Sequence, residues 1–479
     1  NLAIMCSTIG ETYDRMDDMY MIFDMSSRRC MSKYSKIRND KYWKESQKYN
    51  VHSRYVYTLL VSSKLFSLEK TSLEGEISAI MSLYTFKYFK SIHKLAYREE
   101  YGHYHECTEF DIKRLHYNIF NESLNCMKGY MTNLIYNIEA IADIVEVNVR
   151  EYRDQIPFSD GIYDLTEHTF RMYSEEDYIL YDVGYKFPRD KYEKCVCDYE
   201  GFVNSSACLK HISEMFINRE EEMLFWQSMS ENLNRRCKYD SIILFLGSKS
   251  NGKGCIFSLN SHAFGELDSS VGTKYLEKRV SSGGEPEFIN LTYSMFATVP
   301  DFTNTTMCSD RLKMTSTGDR ISFRALYSNE YISFVPGYST VIGCNFMPRF
   351  TVYDGGIRRR LVVVPFRVSF SPNPRSGEIF KKSDPLVREN FRHNCSWRDD
   401  YIVNLIHSSR RERVIYNFNE HLRLIDATNN RFLAFLFEKY SINDDSNEKY
   451  KLDDIISEYR AYLSELDVKC AVSKPRIEE

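Results

Sequence analysis

The 479-residue sequence contains no apolar run near the ~18 residues that suggest a membrane-spanning helix. We also find no secretory signal peptide at its start. The 63 Lys and Arg residues stand against 67 Asp and Glu, so the formal net charge is −4 and the chain has no overall basic excess. Any contact with nucleic acid must therefore use a local basic patch or a pore assembled from several subunits.

The cysteines lack the spacing of a disulfide framework, and proline is absent from the first 156 residues. The 13 cysteines are odd in number and scattered, which indicates a reducing, cytosolic compartment. Residues 1–156 contain no proline, and this suits a helical region because proline breaks helices. Within it, residues 19–46 are typical of a small helical connector. The sequence does not start with Met, and we expect it to be part of a longer protein.

The pattern changes after residue 156. Asp160 and Gly161 stand between apolar residues and predict a tight turn into a short strand. Further on, apolar β-type runs alternate with helical or turn segments, which is typical of an α/β sandwich around a mostly parallel sheet. These runs are 242–246, 294–299, 331–335, 340–344 and 361–366. We predict four regions: a helical connector or collar (1–105), an accessory domain (106–220), an α/β core (221–385) and a helical carboxy-terminal domain (386–479).

The core begins with a glycine-rich loop, residues 247–253, which follows the apolar run 242–246. Its pattern, G-x-x-x-x-G-K, is that of a P-loop, in which backbone N–H groups surround phosphates and the lysine neutralises their charge. The candidate phosphate-binding residues are Gly247, Ser250, Asn251, Gly252, Lys253 and Gly254. A P-loop has Ser or Thr at position 254, where its hydroxyl holds Mg²⁺, whereas this chain has glycine.

Three further candidates follow later strands. Asp301 comes after the run 294–299 and could hold Mg²⁺ or position water, although a turn cap is an equal alternative. Asn345 ends the run 340–344 and could orient the attacking water, or could simply form a turn before Pro348. The triplet 358–360 is all arginine. Guanidinium groups there could reach the phosphate site of a neighbouring subunit, or could form a solvated face.

Two groups of Cys and His residues are weaker candidates, in this case for metal binding. The first is Cys195, Cys197, Cys208 and His211. Because a C-x-C spacing is poor for zinc fingers, we expect ordinary buried or solvated thiols. The second, residues 103–107, contains two histidines and a cysteine, and we expect a polar loop.

Several blocks occur in a fixed order and resemble one family. They are residues 158–165, Asn251-Gly252-Lys253, Thr317-Gly318-Asp319 through Tyr327, and Arg359-Arg360-Leu361. Together they resemble the D5-like family of superfamily 3 helicases, the primase–helicase proteins of poxviruses and other large DNA viruses. The resemblance covers roughly residues 106–370.

This resemblance implies an AAA+-like ring ATPase, usually a hexamer, that moves along single-stranded DNA at a replication fork. ATP and Mg²⁺ would be its cofactors, with the nucleotide between subunits. A primase domain would precede the chain, and the protein would work at the viral replication site in the host cytoplasm, with the nucleus left open.

The resemblance also implies residue roles. Lys253 would bind the phosphates and Asn345 would be the polar sensor. Arg360 is the first choice for an arginine finger acting on the neighbouring subunit, and Arg359 the second. The residues implied in subunit or DNA contacts are Lys313, Arg324 and Tyr327, the last near the tip of a β-hairpin over 321–334.

Two positions depart from the family pattern. The family has Ser or Thr where Gly254 stands, and Glu near Thr298, where the next acid is Asp301. We therefore expect nucleotide binding to survive and hydrolysis to be weakened or lost. Two functions remain open: a helicase motor, or a degenerate AAA+ scaffold that binds nucleotide and DNA or replication partners without turnover. A small-molecule kinase is disfavoured, because the arginine triplet and the hairpin would then have no use.

Overall fold

A computed structural model describes most of the chain after residue 72. The described residues are 73–90, 93–98, 102–120, 128–146, 154–231, 233, 240–277, 287–303, 306–324, 331–374, 376–377, 379–410, 426, 428–440 and 452–465. The predicted connector at 19–46 and Tyr327 lie outside them. The chain forms two compact units, which divide between Val147 and Asn148, with Tyr173–Leu180 returning to the first unit. The four regions predicted from the sequence stay a prediction.

The first unit combines helices with a sheet. Its described helices are α1 (Leu73–Leu83), α2 (Glu109–Phe120) and α3 (Lys128–Ile141). Its described strands are β1 (Thr85–Phe89), β2 (Lys94–Arg98), β3 (His105–Glu106) and β4 (Asp143–Val145), in the order β3-β2-β1-β4. The sequence predicted a mostly helical region and missed this sheet, because strands of two to five residues are too short for a period of two to be clear.

A buried polar cluster joins the three helices of this unit. Glu76 of α1 and His116 of α2 are almost completely buried, and their Oε2 and Nε2 atoms lie 3.0 Å apart. The hydroxyl of Tyr130 in α3 donates to the same carboxylate oxygen. Buried polar groups require such partners, so this cluster fixes how the helices pack around Ile80, Leu115 and other apolar residues.

The second unit contains the remaining described elements. Its helices are α4 (Arg189–Cys197), α5 (Tyr199–Ser205), α6 (Ala207–Ser213), α7 (Arg219–Glu231), α8 (Lys253–Phe264), α9 (Glu287–Leu291), α10 (Ser309–Ser316), α11 (Gly355–Arg358), α12 (Pro385–His393), α13 (Cys395–Ser408), α14 (Arg431–Lys439) and α15 (Leu452–Glu465). Its strands are β5 (Gln155–Phe158), β6 (Gly161–Asp164), β7 (Thr169–Arg171), β8 (Ile242–Leu246), β9 (Asp268–Ser270), β10 (Phe296–Phe302), β11 (Thr306–Met307), β12 (Ile321–Arg324), β13 (Tyr331–Phe334), β14 (Ser339–Cys344), β15 (Arg349–Phe350), β16 (Leu361–Pro365), β17 (Ser369–Ser371) and β18 (Phe380–Lys382).

A five-stranded parallel sheet organises this unit, in the order β16-β8-β14-β10-β9. Alternate residues of β8 enter two hydrophobic cores, Ile243 and Phe245 on one face and Ile242 and Leu244 on the other. Burial of both faces explains why this strand is continuously apolar. The α/β class with a parallel sheet is therefore confirmed.

The strand predictions differ from the structure at two places. The run 331–335 was grouped with the alternating β-type runs of the core, but β13 lies outside the parallel sheet and pairs with β12 in the antiparallel hairpin that the resemblance implied. The edge strand β9 was not predicted, since its sequence Asp-Ser-Ser has no apolar signal. The Asp160–Gly161 turn is confirmed, because β5 and β6 pair on either side of it.

Parallel strands end at one edge, and this positions the candidate site. Residues 247, 301 and 345 lie at the carboxyl ends of β8, β10 and β14, at the shared edge of the sheet. Beyond residue 384 the described elements are all helices, as predicted for the carboxy-terminal region. None of the helices described combines the length and apolar character that a membrane span requires.

Asp268 at the start of β9 makes folding stability depend on pH. Burial raises the pKa of Asp268 to about 7, although hydrogen bonds from Asn260 and Thr298 act in the opposite direction. An unfolded aspartate ionises near pH 4, so the unfolded chain loses this proton first as the pH rises. The contribution of Asp268 to stability is therefore most favourable below about pH 4 and falls between about pH 4 and pH 7.

We expect Asp268→Asn to raise the free energy of unfolding at pH 8 by about 2 kcal/mol and to change it little at pH 4. Urea unfolding at both pH values measures this difference. The exposed Asp190→Asn variant is the control and should show no comparable pH dependence. Equal effects of Asp268→Asn at pH 4 and pH 8 would contradict the expectation.

Candidate phosphate-binding site

The glycine-rich loop has the conformation that its glycines permit. The N–H of Gly247 donates to the carbonyl of Cys344 at 3.1 Å, which ties the start of the loop to β14. Gly252 precedes α8 with φ of +92°, a left-handed conformation that favours glycine. A Cβ atom on Gly252 would lie 2.6 Å from Sδ of Met215. The loop therefore needs glycine at position 252 for two independent reasons.

Asn251 fastens the middle of the loop. Its side chain is buried, and its Nδ2 donates to the carbonyl of Phe366 at 3.0 Å. The carbonyl of Ser250 accepts from the N–H of Phe370 at 2.7 Å. Within the described residues, the N–H groups of 248–252 donate to no acceptor of the chain. Hydrogen bonds to Phe366 and Phe370 thus hold the loop in place, while the N–H groups of 248–252 remain available to donate to a ligand.

Lys253 lies at the centre of the site and is buried. Its Nζ donates to the carbonyls of Gly247 at 2.5 Å and Ser248 at 3.0 Å. Among the described residues no carboxylate lies within ion-pair distance of this ammonium group. Burial lowers the pKa of Lys253 to about 8, against the opposing influence of Cys344 and Asp301. A buried cation with only neutral partners is the arrangement that an anionic ligand would complete.

Two other predicted site residues, Asn345 and Asp301, come together beside this ammonium group. Oδ1 of Asn345 lies 3.4 Å from Nζ of Lys253, and Nδ2 of Asn345 lies 3.4 Å from Oδ1 of Asp301. Asn345 thus bridges the P-loop lysine and the acid of β10. The parallel register of β8, β14 and β10 produces this convergence. The positions fit their predicted roles, which stay predictions.

The site offers few protein ligands for a metal ion. Asp301 is exposed and supplies one carboxylate. A Cβ atom built on Gly254 would meet nothing within 4 Å, so there is space for a hydroxyl-bearing side chain but no hydroxyl. Mg²⁺ is commonly held by one or two carboxylates together with substrate phosphates. The donor set therefore suits Mg²⁺ only when a phosphate supplies further oxygens.

The loop faces a cavity of about 770 Å³, which we call the loop cavity. Residues 248–255, Asp301 and Asn345 form one wall. The opposite wall contains Lys382, Arg388 and Arg392 from the end of β18 and from α12. Ligand pockets commonly have volumes of roughly 300–1,000 Å³, so a nucleotide-sized ligand fits. This second wall was not predicted from the sequence, because it lies more than 120 residues after the loop and has the pattern of an ordinary amphipathic helix.

The arginine triplet is arranged differently from the prediction. Arg358 forms a two-point ion pair with Asp426, with its Nε 3.0 Å from Oδ1. The side chain of Arg360 is only 6% exposed, donates to the carbonyl of Gly356 and lies 3.4 Å from Asp240. Arg359, also near Asp240, is 66% exposed. Arg360, the first choice for a finger, is thus buried within its own chain, whereas Arg359 is the most exposed member of the triplet and Arg358 is 47% exposed. The finger role stays a prediction.

The residues implied in DNA or subunit contacts are partly described. Nζ of Lys313 in α10 lies 2.5 Å from the carboxylate of Asp354, so its charge is already paired. Arg324 ends β12 and is exposed. The paired strands β12 and β13 confirm the predicted hairpin, while Tyr327 and the tip lie outside the described residues.

The cysteine cluster is dispersed. Cys195 and Cys208 are buried and Cys197 is exposed. His211 lies 3.1 Å from Glu214, and its ring stacks on Trp397. In the part of the chain that the structure describes, no three His, Cys, Asp or Glu side chains converge as a metal site would require.

The glycines at 252 and 254 offer a matched test of the loop geometry. Gly252→Ala should shift the loop, because φ is positive and Met215 occupies the space, and should lower the free energy of unfolding by about 1–3 kcal/mol. Gly254→Ala adds the same methyl group in open space. It should leave stability within about 0.5 kcal/mol of the parent. Thermal unfolding measures both, and equal losses would contradict the described loop conformation.

Known proteins resemble this chain at moderate identity. A protein of Acanthamoeba polyphaga mimivirus that carries a provisional helicase name is 26% identical over 318 residues, covering 61% of this chain and 32% of that protein. The uncoating factor of vaccinia virus is 27% identical over 259 residues, covering 51% and 31%. The primase D5 of fowlpox virus is 24% identical over 243 residues, covering 49% and 29%. The chain thus spans about a third of the length of these relatives.

No protein-family model matches the chain. The solved C-terminal region of the NrS-1 protein overlaps 77% of this chain and 81% of its own, with 10% identity and a TM-score of 0.43. The poxvirus and mimivirus proteins match the family inferred from the sequence blocks. The resemblance of this chain to the D5-like helicases of large DNA viruses is therefore confirmed.

Proposed function

We propose that this chain binds ATP in the loop cavity and serves as the nucleotide-driven module of a viral DNA-replication helicase. The observation that carries the proposal is the buried ammonium group of Lys253, which has only neutral acceptors and stands beside the unused amides of residues 248–252. Such a row of donors and a lysine together suit the oxygens of a triphosphate. The viral relatives named for helicase and primase activity support the wider role.

Asn345 and Asp301, which lie beside Lys253, would have separate roles in catalysis. Asn345 would hydrogen-bond the terminal phosphate or the attacking water, a role supported by its contacts with Lys253 and Asp301. Asp301 would hold Mg²⁺ together with phosphate oxygens, and the ion would supply charge neutralisation of the phosphates. Positioning and electrostatic stabilisation of this kind supply most of the catalysis in phosphoryl transfer.

A neighbouring subunit of the same chain would complete the site. We propose an AAA+-like ring, with a hexamer as the expected form, in which the exposed Arg359 reaches the phosphate site of the neighbouring subunit. The hairpin that carries Arg324 and Tyr327 would contact single-stranded DNA, since cationic and aromatic side chains bind single strands without sequence preference. The resemblance to poxvirus proteins supports work at a replication site in the host cytoplasm.

A scaffold without turnover is the second candidate. Gly254 lacks the metal-binding hydroxyl, and Asp301 is the one carboxylate among the described residues beside Lys253 and Asn345. These features weaken control of the metal ion and of water, and they leave phosphate binding intact. ATP turnover separates the motor from the scaffold.

Two variants test the proposal, Lys253→Ala through ATP binding and Gly254→Ser through ATP turnover. Lys253→Ala should weaken ATP binding by roughly 100-fold, the factor lost with a charged hydrogen-bond group. Gly254→Ser should raise turnover by about tenfold or more, because a hydroxyl enters open space next to the phosphates. Equilibrium titration with ATP measures binding, and phosphate release with and without single-stranded DNA measures turnover.

Gly254→Ala is the control, since it fills the same space without a hydroxyl. ATP binding that persists unchanged in Lys253→Ala would contradict the proposed site. Stimulation of the parent by DNA supports the motor, whereas binding without turnover in both the parent and Gly254→Ser supports the scaffold.

The pKa of Lys253 gives a pH test that needs no hydrolysis. The free protein loses the Lys253 proton as the pH rises through about 8. Bound phosphates favour the charged form and raise this pKa, so binding near pH 8.5 should take up a fraction of a proton. Calorimetry in buffers of different ionisation enthalpy measures the uptake. It should be small at pH 6.5, and ATP affinity should fall above pH 8. Equal proton uptake by Lys253→Ala would contradict this assignment.

A further inference from the structure

The wall of the loop cavity opposite the phosphate loop is a fixed structural element. Asp384 caps α12 by accepting from the N–H of Leu386 at 2.9 Å. Phe391 is buried, and its ring meets that of Trp397 edge-on at 5.0 Å. The helix α12 is therefore anchored at its start and near its end, and it packs against α8.

Two arginines project from this helix into the cavity. Arg388 and Arg392 are four residues apart and therefore lie on the same face of α12, and both line the cavity. Their charges also act on the thiol of Cys255, where they oppose the effect of burial on its pKa. Cys255 follows Gly254 in the first turn of α8. Both guanidinium groups line the same cavity as Gly254, the position where a typical P-loop has its metal-binding hydroxyl.

The charges around these arginines leave a positive excess. Five Lys or Arg side chains and three carboxylates line the cavity. Arg392 lies 3.4 Å from Glu389, a pair in which both side chains are well exposed. Within the described residues Arg388 has no carboxylate within ion-pair distance. Pairing with phosphate would therefore break at most one weak surface contact.

We propose that Arg388 and Arg392 bind the nucleotide's phosphates from within the same chain, so that nucleotide binding largely persists without a divalent metal ion. This inference rests on the proposed function and assigns it two further residues and a metal dependence. Guanidinium groups suit phosphate because their planar donors match its oxygens. The two arginines supply countercharge where Gly254 cannot help to hold Mg²⁺.

Titration of the full chain with a fluorescent ATP analogue, in Mg²⁺ and in EDTA, tests the inference. For the parent chain we expect a loss of affinity below about threefold in EDTA, because protein cations carry most of the neutralisation. The double variant Arg388→Gln/Arg392→Gln should bind at least about tenfold more weakly in EDTA, the lower end of the loss expected when charged hydrogen bonds are removed. Its loss in Mg²⁺ should be smaller.

Two controls separate charge from structure. Arg349→Gln removes an exposed arginine from β15, outside the cavity, and should bind as the parent does. Arg388→Lys/Arg392→Lys keeps both charges and should recover part of the affinity in EDTA. Thermal unfolding of each variant checks that the fold is retained.

The outcomes separate the two proposals. If the parent binds in Mg²⁺ but loses more than about threefold in EDTA, the inference is wrong and the proposed function stands. Equal affinity of the parent and the double Gln variant in EDTA also overturns the inference alone. If the parent binds no ATP analogue in either condition, the proposed function fails and this inference fails with it.

Discussion

The account of this protein depends on one interaction, the buried ammonium group of Lys253 surrounded by neutral oxygens. Carbonyls of Gly247 and Ser248 and the side-chain oxygens of Asn251 and Asn345 lie within 3.4 Å of Nζ. Burying a cation without a counter-ion costs free energy, which its lowered pKa reflects. A polyanion bound at this site would remove that cost, which is why we propose that the site binds phosphate.

The rest of the second unit maintains this arrangement. Strand β8 is buried on both faces and ends at the loop, while β14 and β10 bring Asn345 and Asp301 to the same edge. Asn251 and Ser250 tie the loop to the segment after β16. In the same segment Arg367 forms an ion pair with the buried Glu221 of α7. A substitution in this support could therefore disturb the site without touching a ligand.

Much of the core could be predicted from the sequence because its signals are local. The apolar run 242–246, the glycine spacing and the polar residues at strand ends each depend on neighbours in the chain. The arginine wall of α12 could not be predicted, because only packing against α8 and α13 brings it to the loop. Likewise, the sequence of the triplet gave no sign that Arg360 is buried against Gly356 while Arg359 is exposed.

The departure from the family pattern at position 254 has a physical interpretation in this structure. The loop keeps the elements that would bind phosphate in the proposed function, the amides and Lys253, and lacks one that would hold a metal ion, the hydroxyl at position 254. The cavity supplies positive charge from a different direction, through α12. Binding and turnover are therefore separable properties of this site, and the chain retains the structural basis of the first more completely than that of the second.

The central claim is that a triphosphate lies on the amides of residues 248–252. Amide hydrogen exchange of the full chain, with and without a non-hydrolysable ATP analogue, measures those groups directly. The account predicts slower exchange in peptides spanning 248–252 when the analogue is bound, since the phosphate oxygens would accept from these N–H groups. Unchanged exchange at 248–252 under saturating analogue, with protection at another site, would contradict it.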